Sequence, residues 1–122
     1  MSSSQNQPEP LGPLTPAMFH VLLALAGEDL HGYAILKEVE LRTGGKVRLS
    51  TGTLYGIIKR LLADGLIAER RWRPSEALDD ERRRYYRLTP QGRQVAMAEA
   101  ERMDEILSIA RSRNLLKKPR TA

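Results

Sequence analysis

The chain contains no cysteine. That excludes disulfides, thiolate metal sites and thiol redox chemistry, and fits a reducing, cytoplasmic setting. Aromatic residues make up only 5% of the sequence, with one tryptophan and one phenylalanine, a composition that suits a helical domain better than a β-sandwich. With two histidines and no cysteine, a transition-metal sensor site is not expected. No apolar run reaches the roughly 18 residues needed to cross a bilayer. The opening Met1-Ser-Ser-Ser-Gln-Asn-Gln-Pro lacks the basic and apolar parts of a secretory signal. A catalytic constellation is missing too. His20 has no Asp or Ser at useful spacing, and His31 fits a helix start. Gly44-Gly45-Lys46 resembles the end of a phosphate-binding loop, but Glu40 stands where its first glycine belongs and Val47 where a hydroxyl belongs. Asp79, Asp80 and Glu81 read as a solvated turn rather than a cation site. No enzyme activity, metal or cofactor is expected.

What is present is one domain's worth of chain, 122 residues, with a net charge of +5 that is unevenly spread. Residues 1–41 hold one lysine against five acids, whereas residues 42–87 hold twelve Lys/Arg against six acids. The basic middle is the electrostatic footprint expected of a phosphate-binding surface. Residues 1–13, rich in Ser, Gln and Pro, are expected to be a disordered leader.

From there the pattern is mainly helical. Thr15-Pro16 caps and opens a first helix whose run Ala17–Ala26 is apolar nearly all round, and Gly27 ends it. A second helix covers Gly32 to Arg42, with Tyr33, Ile35, Leu36, Val39 and Leu41 as its apolar set and Gly44-Gly45 as its stop. The third starts at Ser50 or Thr51, carries Leu54, Ile57, Ile58, Leu61 and Leu62 at helical spacing, and closes at Asp64-Gly65. Leu66–Arg73 and Arg83–Leu88 read as the strands of a hairpin joined by the loop Pro74–Arg82. Thr89-Pro90 opens a last helix that runs to about Arg113. The expected fold is thus mainly α with a small β-hairpin: a winged helix-turn-helix domain over residues 14–88, a C-terminal helix over 89–113, and a flexible basic tail over 114–122 containing Lys117, Lys118 and Arg120.

In such an arrangement one helix must enter a major groove about 12 Å wide with small or polar residues leading. Ser50, Thr51, Gly52 and Thr53 at the head of the third helix meet that need. Their hydroxyls and free N–H groups suit phosphate oxygens at the positive end of the helix dipole. Tyr55 adds a hydroxyl, and Lys59 and Arg60 add charge. On the hairpin, the period of two puts Arg84, Tyr86 and Leu88 on one face and Arg83, Tyr85 and Arg87 on the other. Tyr86 and Leu88 are expected in the core, leaving Arg83 and Arg87, with Arg71 and Arg73 of the first strand, as contacts to DNA.

Four segments together resemble the PadR family of transcriptional regulators: His31-Gly-Tyr-Ala-Ile35, Leu49-Ser-Thr-Gly-Thr-Leu-Tyr55, Arg60-Leu-Leu-Ala-Asp-Gly-Leu-Ile67 and Arg84-Tyr-Tyr-Arg-Leu-Thr-Pro-Gln-Gly92. The resemblance covers residues 14 to 95. It implies a winged-helix domain that binds double-stranded DNA as a homodimer, usually a repressor on an inverted repeat, with Ser50–Tyr55 leading the recognition helix. With one helix beyond the wing, the chain is similar to the short subfamily. It departs from many relatives in having Gly56 after the tyrosine, and in a long acidic wing loop.

The last helix carries Val95, Met103, Ile106, Leu107 and Ala110 as a stripe that either folds back on its own domain or is buried by a second copy of the chain, and the resemblance implies the second, a dimerisation helix over 89–113. The resemblance also implies a small hydrophobic effector at that interface, although this helix has no aromatic residue to stack on a planar ligand. The alternative from another class is a winged-helix protein–protein module without DNA binding.

Overall fold

The computed structural model describes residues 14–70 and 84–117. The leader 1–13, the wing residues 71–83 with Arg71, Trp72, Arg73 and Arg83, and the tail residues Lys118 and Arg120 lie outside the described residues.

Among the described residues four helices and three short strands follow one another: α1 Pro16–Gly27, β1 Leu30–His31, α2 Gly32–Arg42, α3 Thr51–Ala63, β2 Ile67–Arg70, β3 Tyr85–Leu88 and α4 Pro90–Ser112. Each helix begins at a side chain that can accept a backbone N–H. Thr15 accepts from Met18, His31 through Nδ1 from Ala34, Ser50 from Thr53 and Thr89 from Gly92, which satisfies amides that have no partner within the helix. Helix α2 stops where Gly44 and Gly45 take positive φ. There the Thr43 hydroxyl donates to the Val39 carbonyl at 2.8 Å and accepts the Val47 N–H at 3.0 Å, folding the turn toward α3.

The core lies between α1, α2, α3 and the sheet, with the near half of α4 closing it through Ala96, Val95 and Met103. Val21, Leu22, Ile35, Val39, Leu54 and Leu61 are fully buried, joined by Leu66, Ile67 and Tyr86. Helix α1 supplies six of its twelve residues to this core, as its all-round apolarity demands. In α2 the buried positions are Gly32, Ile35 and Val39. Tyr33 and Leu41, expected among its apolar set, are instead 62% and 78% exposed. Three- and four-residue spacing through Ile35 and Val39 uses up the inward side of so short a helix, and Tyr33 lies outside it with its ring 5.6 Å from the Lys37 ammonium.

The expected hairpin is present as β2 and β3, with Ile67 opposite Leu88 and Arg70 opposite Tyr85. A third strand joins it. Residues Leu30 and His31 pair antiparallel with Tyr86 and Tyr85, giving the order β1-β3-β2. Alternation holds in β3: Tyr86 is buried, Leu88 packs against the core and Arg87 is exposed, whereas Arg84, expected on the Tyr86 face, stands just before the strand and is exposed. Among the described residues no helix is long and apolar enough to cross a membrane.

Candidate nucleic-acid interface

Helix α3 has two unlike sides. Leu54, Ile58 and Leu61 are buried, while Thr51, Gly52, Thr53, Tyr55, Gly56, Lys59 and Arg60 are exposed. The Ser50 hydroxyl is fully engaged, accepting the Thr53 N–H at 3.0 Å and donating to Thr53 Oγ1 at 2.9 Å. Thr53 therefore keeps its own hydroxyl proton to donate outward. The Thr51 and Gly52 amides belong to the first turn, where no intrahelical acceptor exists. No acid stands in that turn, so the positive end of the dipole is left uncompensated. A Cβ added at Gly52 or Gly56 would meet nothing within 4 Å; both open onto empty space on the outer side.

The cations divide into committed and uncommitted. Arg70 donates to Asp29 at 2.9 Å, and Arg84 lies 3.0 Å from Glu69. Arg60 Nε lies 3.5 Å from Asp64 Oδ2, an ion pair too loose for a hydrogen bond, since that oxygen is buried without one. Lys59 and Arg87 are exposed and have no ion-pair partner among the described residues. Sequence reading missed how two wing-strand arginines are absorbed by acids, one of them 41 residues away.

Along α4, Gly92 and Ala96 are buried, and Val95 and Met103 pack partly buried against the chain's own core. The same stripe continues toward the C-terminal end of α4 as Ile106, 50% exposed, Leu107, 42% exposed, and half-buried Ala110. Helix α4 ends in a left-handed residue, Asn114 with φ of 63°, and the Leu115 N–H bonds to the Ala110 carbonyl at 2.9 Å.

Three helices, a small antiparallel sheet and a polar helix face turned outward define a winged helix-turn-helix protein. The family model of the PadR-like transcriptional regulators matches residues 21–98. The chain belongs to that family, which is one of regulators and not enzymes. It is 34% identical over 87 residues to the transcriptional regulator Rv3488 of Mycobacterium tuberculosis, covering 71% of this chain and 75% of that protein. It is 42% identical over 87 residues to a 37.1 kDa protein in transposon TN4556 of Streptomyces fradiae, again over 71% of this chain but spanning only 23% of that protein's length. Among solved structures, that of Bacillus subtilis PadR in complex with operator DNA shares the fold, with a TM-score of 0.60, 23% identity, and coverage of 71% of this chain and 46% of that one.

Proposed function

We propose that this protein is a homodimeric repressor that binds an inverted repeat in double-stranded DNA by seating two copies of α3 in successive major grooves. The observation that carries this reading is the acid-free leading turn of α3, with Thr51, Gly52 and Thr53 exposed on it. Family membership supports it, as does the operator DNA bound to the Bacillus subtilis relative. We assign base-edge contacts to Thr53 and Tyr55, the latter through the part of its ring left exposed beside Gly32. Ser50 orders the turn, Lys59, Arg60 and Arg87 supply charge to phosphate, and Arg71, Arg73 and Arg83 extend that role along the wing. The exposed end of the α4 stripe, Ile106 and Leu107 with Ala110, is the surface a second copy covers, with Val95 and Met103 flanking it. Dimerisation there would set two recognition helices about 34 Å apart. A small hydrophobic effector would act through the same surface by binding more tightly to a dimer geometry that does not fit DNA.

The test is retention on immobilised duplex DNA across a salt series. A steep fall in binding with salt is expected from counterion release, and Lys59→Ala should flatten the slope by about two, one for each subunit of the dimer. Absence of retention even in dilute buffer would replace this reading with that of a protein–protein module.

A further inference from the structure

Between α3 and α4 the contact runs through the Gly65-Leu66 turn, whose two carbonyls receive the head of α4. After the end of α3, Gly65 takes a φ of 76°, which only glycine adopts readily. The Gly65 N–H then bonds to the Leu62 carbonyl at 3.1 Å, and the Leu66 N–H to the Leu61 carbonyl at 3.0 Å. Leu66 is thereby tied to the last turn of α3. Its carbonyl oxygen faces the other way. It accepts the Thr89 N–H at 3.1 Å and lies 3.0 Å from Thr89 Oγ1. The Thr89 hydroxyl also reaches the Gly65 carbonyl at 2.7 Å, while its oxygen accepts the Gly92 N–H at 2.9 Å and so starts α4. Gly92 completes the contact. It is buried, and a Cβ there would overlap the Leu66 carbonyl oxygen and stand 2.8 Å from the carbonyl carbon. The Leu66 side chain is itself buried. Elsewhere α4 packs on α1 and β3 rather than along α3.

We infer that the Leu66 junction sets the angle between the recognition helix and the dimerisation helix, and that Thr89 and Gly92 are positioning residues for the spacing of the two DNA half-sites. The inference rests on the dimeric, DNA-binding reading above. Leverage makes the angle matter. Helix α4 has 23 residues and is therefore about 34 Å long. A tilt of about 10° at its start carries its far end through about 6 Å, which is close to two base-pair steps of about 3.4 Å. A loose junction would still let each α3 enter a groove, but it would remove the rigid span that makes two half-sites better than one.

The experiment uses the full chain and the half-site recovered by selecting bound duplexes from a random pool. Two inverted copies are placed at stepwise spacings, and one copy alone serves as reference. The native protein should prefer one spacing by about tenfold over spacings two base pairs away. Thr89→Val, folded and dimeric by circular dichroism and sedimentation, should bind the single half-site within about twofold of native but lose most of the spacing preference. Thr89→Ser should restore it, because serine keeps the hydroxyl. A folded Thr89→Val that retains the native preference overturns the inference. Should Thr89→Val fail to fold, the otherwise native chain decides. The absence of cysteine allows spin labels at Ala63→Cys and Ser108→Cys, in dimers diluted with unlabelled chain. One narrow intramolecular distance supports a fixed junction, and a broad distribution overturns it. A native chain that binds none of the duplexes overturns the functional reading, and this inference falls with it.

Discussion

The phenol of Tyr55 on α3 lies directly against Gly32 at the head of α2, so closely that a Cβ on Gly32 would overlap its hydroxyl. A side chain that looks available for reading bases is thus also the spacer between the two helices of the helix-turn-helix. The side chain keeps 43% of its surface exposed.

Gly32 and Gly92 are both closed to a Cβ, but for different reasons, and alanine separates them. At Gly32 the obstacle is the far end of the Tyr55 side chain, which can swing away. Gly32→Ala should cost about 1 kcal/mol or less, partly offset by helix propensity, and should weaken DNA binding by displacing the phenol. At Gly92 the obstacle is the Leu66 backbone carbonyl, which cannot move without breaking the junction. Gly92→Ala should cost about 3 kcal/mol or more. Thermal melts of the two variants should differ clearly.

Gly56 has open space where a Cβ would stand, within the middle of α3. Alanine there should stabilise the fold by about 0.5–1 kcal/mol, because glycine is a poor helix former. If the outer side of α3 approaches DNA closely, the same change should weaken binding. A gain in melting temperature with unchanged affinity would place position 56 outside the interface.

These contrasts also mark what could be read from the sequence. Caps and stops were legible at Thr15-Pro16, Ser50, Thr89-Pro90 and Gly65, because their chemistry is local and each signal lies within a few residues of the helix end it makes. The spacing names Leu54, Ile57, Ile58, Leu61 and Leu62, of which Leu54, Ile58 and Leu61 are buried and the other two pack partly buried against the core. Strand β1 was not legible: two residues show no alternation, and Leu30 and His31 become a strand only because Tyr86 and Tyr85 lie beside them. Tyr33 and Leu41 are apolar enough to fit a helical stripe, yet the inward side of α2 is already taken by Ile35 and Val39. The basic wing was legible as a count of arginines, but the engagement of Arg70 by Asp29 depends on residues far apart in sequence. The role of Gly92 depends on the carbonyl of Leu66, and no periodicity reports that.

Stability should fall at both ends of the pH scale for separate reasons. Burial pushes the Tyr86 phenol above its ordinary value of 10.0, with the Glu69 carboxylate adding to the effect. As pH rises through 10 the unfolded chain releases this proton first, so alkali favours unfolding. Tyr86→Phe should flatten the alkaline limb. On the acid side, the hydrogen bond from Arg42 holds Glu38 below its ordinary 4.5. Its contribution is complete above that value and is lost as pH falls through the folded-state value. The pair is partly solvated, so Glu38→Gln should alter the acid limb by less than about 1 kcal/mol. Denaturant titrations at stepped pH check both.

Ile106 stands in the last two turns of α4 with half of its surface exposed. A carboxylate there should abolish the proposed dimer while leaving the monomer folded, since the side chain is half exposed. Sedimentation of Ile106→Glu should give a monomer mass, and affinity for an inverted repeat should drop by about 10² or more as the two half-sites lose their linkage. A dimer that survives this change would locate the contact elsewhere.

Strand β1 ties the wing to the framework. Because His31 pairs with Tyr85 while its ring also caps α2, a force applied to the base of the wing is passed straight into the head of that helix. The wing root behaves as a bracket and not as a hinge. A partner gripping it meets a surface already set in shape, and the entropy that a loose arm would forfeit on capture has been given up at folding.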